Sequence, residues 1–244
     1  MDRWVEPAVV LSAVDYGEAD RIVTLLTARR GRVSAFAAGA RKSKRRFAGA
    51  LEPGTLLKAH LVARRGSTWR LDAVDLDRSH LAIRTDLPRL SRALYALELC
   101  RELVRDEQPH PALFDLLVDY LDQLDANRAG PTSLIAFELA ALRLAGFMPR
   151  FSGCAVCGGG LAEPVRFDAD HGGCVCGPCG ARTSQGMPIS PGLAAALAGL
   201  QAGARTPLPA DQRARARELL NRFVAHQLGR RLNAVDFMAQ LGLD

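Results

Sequence analysis

Along the first 78 residues apolar positions recur with a period of two, and beyond them with a period near three and a half. The chain therefore reads as a strand-rich part followed by a helix-rich part. Residues 4–14 form the first predicted strand, closed by the turn Asp15-Tyr16-Gly17-Glu18. Residues 21–27 and 31–38 follow as two more, joined through Arg29-Arg30-Gly31. Residues 55–63 alternate Leu57, Ala59, Leu61 and Ala63 on one side with Leu56, Lys58, His60 and Val62 on the other. After the turn Arg64-Arg65-Gly66, residues 67–76 make a fifth strand. Five short strands joined by Gly-bearing turns predict a small closed barrel such as the OB-fold. The interval 39–54 does not alternate and reads as a long loop.

From about Ser79 the helical period takes over. Leu90, Leu94, Leu97 and Val104 mark one helix, ended by Pro109-His110-Pro111. Leu113, Leu116, Leu117, Tyr120, Leu121 and Leu124 form the apolar face of a second. A third starts at Gly130-Pro131-Thr132-Ser133 and ends at Gly146. Helices resume at Ser190-Pro191, a cap followed by Pro in the first turn, and again over about 210–229 and 233–242. The expected class is α+β: an N-terminal five-stranded OB-fold barrel (1–78), then a helical domain (79–149 and 189–244) with a four-cysteine zinc ribbon (150–188) inserted in it.

The ribbon rests on two Cys-x-x-Cys-Gly units, Cys154–Gly158 and Cys176–Gly180, with 18 residues between Cys157 and Cys176. Each such turn points two sulfurs at one metal, and two turns facing each other supply four thiolates in a tetrahedron. Cys154, Cys157, Cys176 and Cys179 are thus the expected ligands of one structural Zn²⁺ per chain, with no coordination position left for a substrate. Two disulfides are the alternative, which belongs to an oxidising compartment. Residues 1–4 open straight into patterned sequence, with no signal segment, and no apolar run approaches a membrane span. A reducing cytosol is expected, with no membrane partner. Cys174 reads as an unliganded thiol on the same hairpin, His171 as a turn residue and Cys100 as a small core residue.

Charge sharpens the picture for the barrel. Of a net +6, residues 1–70 carry +8 and the remainder −2. Between Arg21 and Leu51 stand nine basic residues and no acidic one. Such asymmetry points to a polyanion, nucleic acid before an acidic membrane surface. Arg outnumbers Lys 29 to 3, which genomic base composition explains. The candidate contacts are Arg29, Arg30, Arg32, Arg41, Lys42, Lys44, Arg45, Arg46, Arg64, Arg65 and Arg70, with Phe36, Phe47 and Trp69 as stacking platforms. Trp69 alone fits the core better than a platform. With only 6% aromatic residues, binding should lean on phosphates and show weak sequence preference. The helix carrying Arg213, Arg215, Arg217 and Arg222 reads as an ordinary solvated face rather than a second basic surface.

Signals for catalysis are poor. No Lys follows a Gly, so no phosphate-binding Gly-Lys-Ser/Thr loop exists. Gly158-Gly159-Gly160 lacks the strand-to-helix setting of a dinucleotide site, and no nucleophile pairs with the five histidines. The chain is expected not to be an enzyme. A zinc hydrolase is disfavoured by four sulfur ligands; a general RNA- or DNA-binding zinc-ribbon protein of transcription or translation stays open as the alternative.

In order and spacing, several segments together resemble the RecO family of bacterial recombinational-repair proteins. They are Tyr16-Gly17-Glu18-Ala19-Asp20-Arg21-Ile22-Val23-Thr24-Leu25-Leu26, Gly31, Ala38-Gly39-Ala40-Arg41-Lys42-Ser43, Leu51-Glu52-Pro53-Gly54 and Leu144-Ala145-Gly146-Phe147-Met148-Pro149 leading into Cys154. The resemblance implies an OB domain that binds single- and double-stranded DNA. It implies annealing of complementary strands without ATP. It also implies help, with RecR, in loading RecA onto strands coated by single-strand-binding protein, in the bacterial cytoplasm at the nucleoid. Some relatives lack the cysteines, which implies that the metal supports the fold.

Overall fold

A computed structural model describes residues 3–43, 45–47, 49–63, 69–182 and 186–242. Five strands, β1 (Arg3–Tyr16), β2 (Asp20–Thr27), β3 (Gly31–Ala37), β4 (Leu56–Ala63) and β5 (Trp69–Arg78), close into a barrel of order β1-β2-β3-β5-β4. Strand β1 closes it by serving two partners. Its first half pairs with β4, from Arg3 opposite Val62 to Val9 opposite Leu56, and its second half with β2, from Ala8 opposite Thr27 to Tyr16 opposite Asp20. A register shift between Val10 and Ser12 gives the bend that a shared strand needs. A short parallel pairing of β3 with β5, Ala35 opposite Trp69 and Phe36 opposite Arg70, completes the OB-fold.

Alternation fills the interior with Ala8, Val10, Val23, Leu25, Val33, Ala35, Leu57, Ala59, Leu61 and Leu71. The 39–54 segment is more than a loop. It sends Phe47, Ala50 and Leu51 into the same core, with Phe47 only 1% exposed, and fixes its own ends by backbone bonds. Val10 donates to the carbonyl of Thr55 at 3.0 Å, Gly54 to that of Val10 at 2.8 Å, and Val74 to that of Arg46 at 3.0 Å. Phe47 is therefore a barrel plug and not a stacking platform.

Three helices follow, α1 (Leu81–Arg84), α2 (Leu87–Leu103) and α3 (Pro111–Asp125). Asp86 caps α2 by accepting from the Arg89 amide at 2.9 Å, and Pro111 opens α3 where its missing N–H costs nothing. Helix α2 packs on β1 and α3 on β2. Val9 and Leu26 stand in register positions outside the barrel, with Leu11 at the register shift, yet all three are buried, which is the consequence of that helical cover. By packing the chain falls into two compact units, Met1–Arg128 and Ala129–Asp244. The change of period near residue 78 marks where secondary structure switches, while the first helices are spent on covering the barrel.

The hairpin turn before β3 needs a glycine twice over. Gly31 has φ +66°, and a Cβ there would meet the Gln108 carbonyl oxygen at 1.9 Å. That close approach lets Glu107 donate its amide to the Arg32 carbonyl at 3.0 Å.

In the second unit, α4 (Pro131–Leu144) packs with α6 (Pro191–Gln201) and α7 (Ala210–Leu228), and α8 (Asn233–Gln240) ends the chain's regular structure. Ser190 caps α6 as its position before Pro191 predicts, accepting from the Leu193 amide at 3.2 Å. Between α4 and α6 lies the ribbon: β6 (Arg166–Asp168), β7 (Gly173–Val175), the single turn α5 (Gly177–Gly180) and β8 (Met187–Pro188), in sheet order β7-β6-β8. Phe167 of β6 stacks on Phe151 at 5.4 Å and meets Phe223 of α7 edge-on at 5.9 Å, so aromatic packing anchors the insertion to its helices.

Helix α7 is not an ordinary solvated face. Arg217 is buried and ion-paired with the fully buried Glu138 of α4, and it also donates to Asn221 at 3.1 Å. Arg215 reaches the Pro188 carbonyl through Nε at 3.1 Å. A helix rich in arginine thus serves packing between elements of its own unit.

Two stability outcomes follow. Phe47→Ala should lower unfolding free energy by about 3–5 kcal/mol, read by urea denaturation, because the plug leaves a void. Glu138→Ala should cost a similar amount, about 3–5 kcal/mol, by leaving the Arg217 charge buried without its carboxylate. A loss under about 1 kcal/mol in either case contradicts the corresponding role.

Candidate nucleic-acid interface and metal centre

The helices leave part of the barrel wall bare. Beyond the bend in β1, register places Val14, Tyr16, Ile22 and Phe36 on the outer side of β1, β2 and β3. Val14 and Tyr16 are exposed, Tyr16 at 57%, and Tyr16 meets Phe36 edge-on at 5.8 Å. An aromatic pair of one exposed ring (Tyr16) and one half-buried ring (Phe36) on this strand face is a surface on which unpaired bases can stack. Phe36 belongs to the sequence-derived set. Tyr16 does not, because in sequence it reads only as a turn residue.

The basic loop is bound to the same end of the barrel. The Arg41 amide donates to the Ala19 carbonyl at 3.0 Å, and the Gly39 amide to Asp20 Oδ1 at 2.7 Å. The Arg41 side chain adds a bond from Nη1 to the Gly17 carbonyl at 3.3 Å and lies 3.4 Å from Asp15. The β1–β2 turn and the start of the loop are thus one hydrogen-bonded unit. Arg46 folds back, donating to the Ala38 carbonyl at 2.6 Å with its guanidinium 5.1 Å from the Phe47 ring. Lys42 and Arg45 are exposed, as is Arg29 on the β2–β3 turn, and none of the three meets a carboxylate among the described residues. Lys44, Arg64 and Arg65 lie outside the described residues.

Other members of the sequence-derived set are engaged internally. The Arg32 Nε reaches Asp106 at 2.6 Å, and Arg70 Nε lies 2.6 Å from Asp72. Arg30 donates to the buried Glu6 at 3.0 Å, and its guanidinium lies 4.1 Å from the Trp4 ring and 5.1 Å from the Trp69 ring. Trp69, named among the platforms though its setting fits the core better, takes the core place: it is 7% exposed, packs edge-on against Trp4 at 5.0 Å and donates its indole N–H to Glu107 at 2.9 Å. An indole with its face against Arg30 and Trp4 and its N–H bonded has no open surface for a base. Arg21, missed in that set, bridges Asp15 at 2.9 Å and Glu52 at 3.1 Å. The hydrogen bond to Glu52 holds its pKa above the usual arginine value, with burial opposing and Asp15 adding.

In the second unit the sulfurs of Cys154, Cys157, Cys176 and Cys179 lie within 4.8 Å of one another. Metal–sulfur bonds of 2.3 Å in a tetrahedron require sulfurs about 3.8 Å apart, and Cys157 Sγ stands 3.9 Å from Cys176 Sγ. The group can therefore hold a metal ion, and four thiol donors suit a soft or borderline one. Local backbone prepares it. The amides of Cys157 and Cys176 point at Cys154 Sγ at 3.5 and 3.4 Å. Burial alone raises the Cys154 pKa, but these amides, that of Val156 and the Cys157 thiol bring it down to about 6. Cys179 is pushed up instead, first by its hydrogen bond to Cys176. Gly177 is forced by packing, since a Cβ there would meet the Glu163 carbonyl oxygen at 2.6 Å.

The spare candidates fall where spacing places them. Cys174 is buried on β7 opposite Phe167 and outside the quartet, its pKa raised to about 12 by burial and by Cys154. His171 sits in the β6–β7 turn, 3.1 Å from Asp168. Cys100 is fully buried in α2, and burial raises its pKa. Among the described residues no helix is long and apolar enough to cross a membrane.

Comparison with known proteins agrees with the two-part layout. A family model described as "Recombination protein O N terminal" matches residues 1–76, and one described as "Recombination protein O C terminal" matches residues 84–236. A protein of Myxococcus xanthus (strain DK1622) named "DNA repair protein RecO" is 61% identical over 244 residues, covering 100% of both chains. Its namesake in Anaeromyxobacter dehalogenans (strain 2CP-C) is 55% identical over 249 aligned residues, with 99% of this chain and 98% of the relative covered. The Geobacter sulfurreducens protein of that name is 38% identical over 238, with 96% of each covered. With both halves matched in order and relatives aligned end to end, the chain belongs to the RecO family.

Proposed function

We propose that this chain is a DNA-repair protein that binds DNA through the barrel, anneals complementary strands without ATP and, with RecR, helps load RecA onto DNA coated by single-strand-binding protein. The observation that carries the DNA-binding part is the union of an uncovered Tyr16–Phe36 pair with a basic loop docked at the same end of the barrel. Stacking there would contribute about 1–3 kcal/mol per base. Lys42, Arg45 and Arg29, exposed beside it, would offset phosphate repulsion and let a second strand approach. Lys44, Arg64 and Arg65 extend the same chemistry in sequence. The names borne by the relatives support the repair role. The role is a binding one and needs no bond-making chemistry. Its setting would be the bacterial cytoplasm, at the nucleoid.

The metal we assign is zinc, held by Cys154, Cys157, Cys176 and Cys179. Four sulfurs within 4.8 Å of one another would supply all the ligands of such an ion and leave none for water, which would make the site a clasp for the ribbon. When bound, the ion supplies cross-linking and charge balance for the thiolates.

Four outcomes test this reading. Exchanging Arg41, Lys42, Arg45 and Arg46 for Glu should abolish annealing of complementary strands precoated with single-strand-binding protein. It should also flatten the dependence of single-strand affinity on salt; unchanged affinity contradicts the charge-neutralisation mechanism. Tyr16→Ala should weaken single-strand binding by about 1–3 kcal/mol with the melting temperature retained; full affinity removes Tyr16 from the interface. Purified protein should carry about one zinc per chain and release it on acidification, because protons compete for the thiolates. Cys157→Ser should lower the zinc content and destabilise the second unit; zinc-free protein of undiminished stability contradicts the clasp.

A further inference from the structure

At the end of the β1–β2 ribbon, one residue from Tyr16, the Asp15 carboxylate is shared between two guanidinium groups. Arg21 Nε reaches Asp15 Oδ1 at 2.9 Å, and Arg41 Nε lies 3.4 Å from Asp15 Oδ2. Two oxygens on one anionic centre, each facing a different arginine, are what the two free oxygens of a backbone phosphate would require. We propose that Asp15 is an internal stand-in for a phosphate, which a bound strand displaces from Arg21 and Arg41. The inference rests on the DNA-binding reading of this end of the barrel and adds how its affinity is set.

Both arginines remain positioned without Asp15. Arg21 keeps Glu52 at 3.1 Å, and Arg41 keeps the Gly17 carbonyl at 3.3 Å and its own amide on Ala19 at 3.0 Å. The exchange is also cheap. The Asp15 side chain is half exposed, and ion pairs in such settings are weak and screened by salt. A displaced Asp15 would face solvent rather than a buried, unpaired state. The consequence is deliberate moderation: each strand competes with a resident anion and is held loosely enough to be released to another. This suits a protein that brings strands together and lets them go. It also explains why an acidic residue stands within the basic end of the barrel, close to the loop.

The test is a fluorescence-anisotropy titration of a labelled oligo-dT strand with the full chain, across a salt series. Wild type is compared with Asp15→Asn, Arg41→Gln and the double variant. Asn keeps the side chain's shape and removes its charge, so D15N should bind about two- to fivefold tighter at low salt, with the gain shrinking as salt rises. In the R41Q background the gain should fall by half or more, because one of the two freed arginines is missing. D15N binding no tighter than wild type with unchanged melting, or a gain indifferent to R41Q, overturns the inference while leaving DNA binding intact. A wild-type chain that binds no strand overturns the DNA reading itself, and this inference with it. If D15N melts lower, Glu52→Gln provides the second reading: it frees the other side of Arg21 and should tighten binding in the same direction, and no tightening there counts against the proposal.

Discussion

A loop with five charges in six residues gains nothing by lying against a protein, and left to itself it would be a solvated tether. Here the chain just after it dives into the barrel. Phe47, Ala50 and Leu51 are core residues, and the burial of one phenylalanine side chain is worth about 1.5–3 kcal/mol against leaving it in water. That plug ties the end of the basic run to the barrel. Its start is pinned as firmly, with Gly39 bonded to Asp20 and Arg41 to Ala19. Everything proposed for the site depends on this double attachment, because it holds cationic side chains at a fixed place beside the aromatic pair. The charges are thereby presented to a ligand at little further cost in order.

Division of labour between the two sides of the barrel wall follows from the helices. Helices α2 and α3 pack on β1 and β2, where Val9, Leu11 and Leu26 are buried, and leave Val14 and Tyr16 bare and Phe36 half-buried beyond the bend. One long strand thus carries a helix-covered half and an exposed half, separated by the shift between Val10 and Ser12. The second unit uses the opposite strategy for its insertion. A ribbon of three short strands buries little apolar surface of its own, so the edge-on packing of Phe167 on Phe223 of α7 anchors it, and the four-cysteine group is placed where a metal would hold it further.

What the sequence alone makes legible is what local rules govern. The strands read from alternation, the Ser190 cap from its Pro neighbour, and the metal quartet from two Cys-x-x-Cys turns, since each depends on residues a few positions apart. Features decided by distant partners are not legible. Phe47 looks like an exposed aromatic in a basic loop until the barrel end it fills is known. Arg30 looks like a ligand for nucleic acid until Trp4 and Glu6 are brought beside it. Arg217 looks like one of several solvated arginines until Glu138, 79 positions earlier, meets it. Tyr16 fails in the other direction: a turn assignment hides that its ring lies on a strand end against Phe36. Family resemblance identifies these segments as significant without saying which side chains face outward.

The most direct measurement of where DNA lies is photo-cross-linking of an iodouracil-substituted single strand to the full chain, followed by mass spectrometry of the attached peptides. Cross-links at Tyr16 and Phe36, with the strand's path continuing over residues 39–46, are the expected result. Cross-links confined to the arginine-rich helix at 210–228, with Tyr16 and Phe36 untouched, would show that the barrel's uncovered face is not the DNA site.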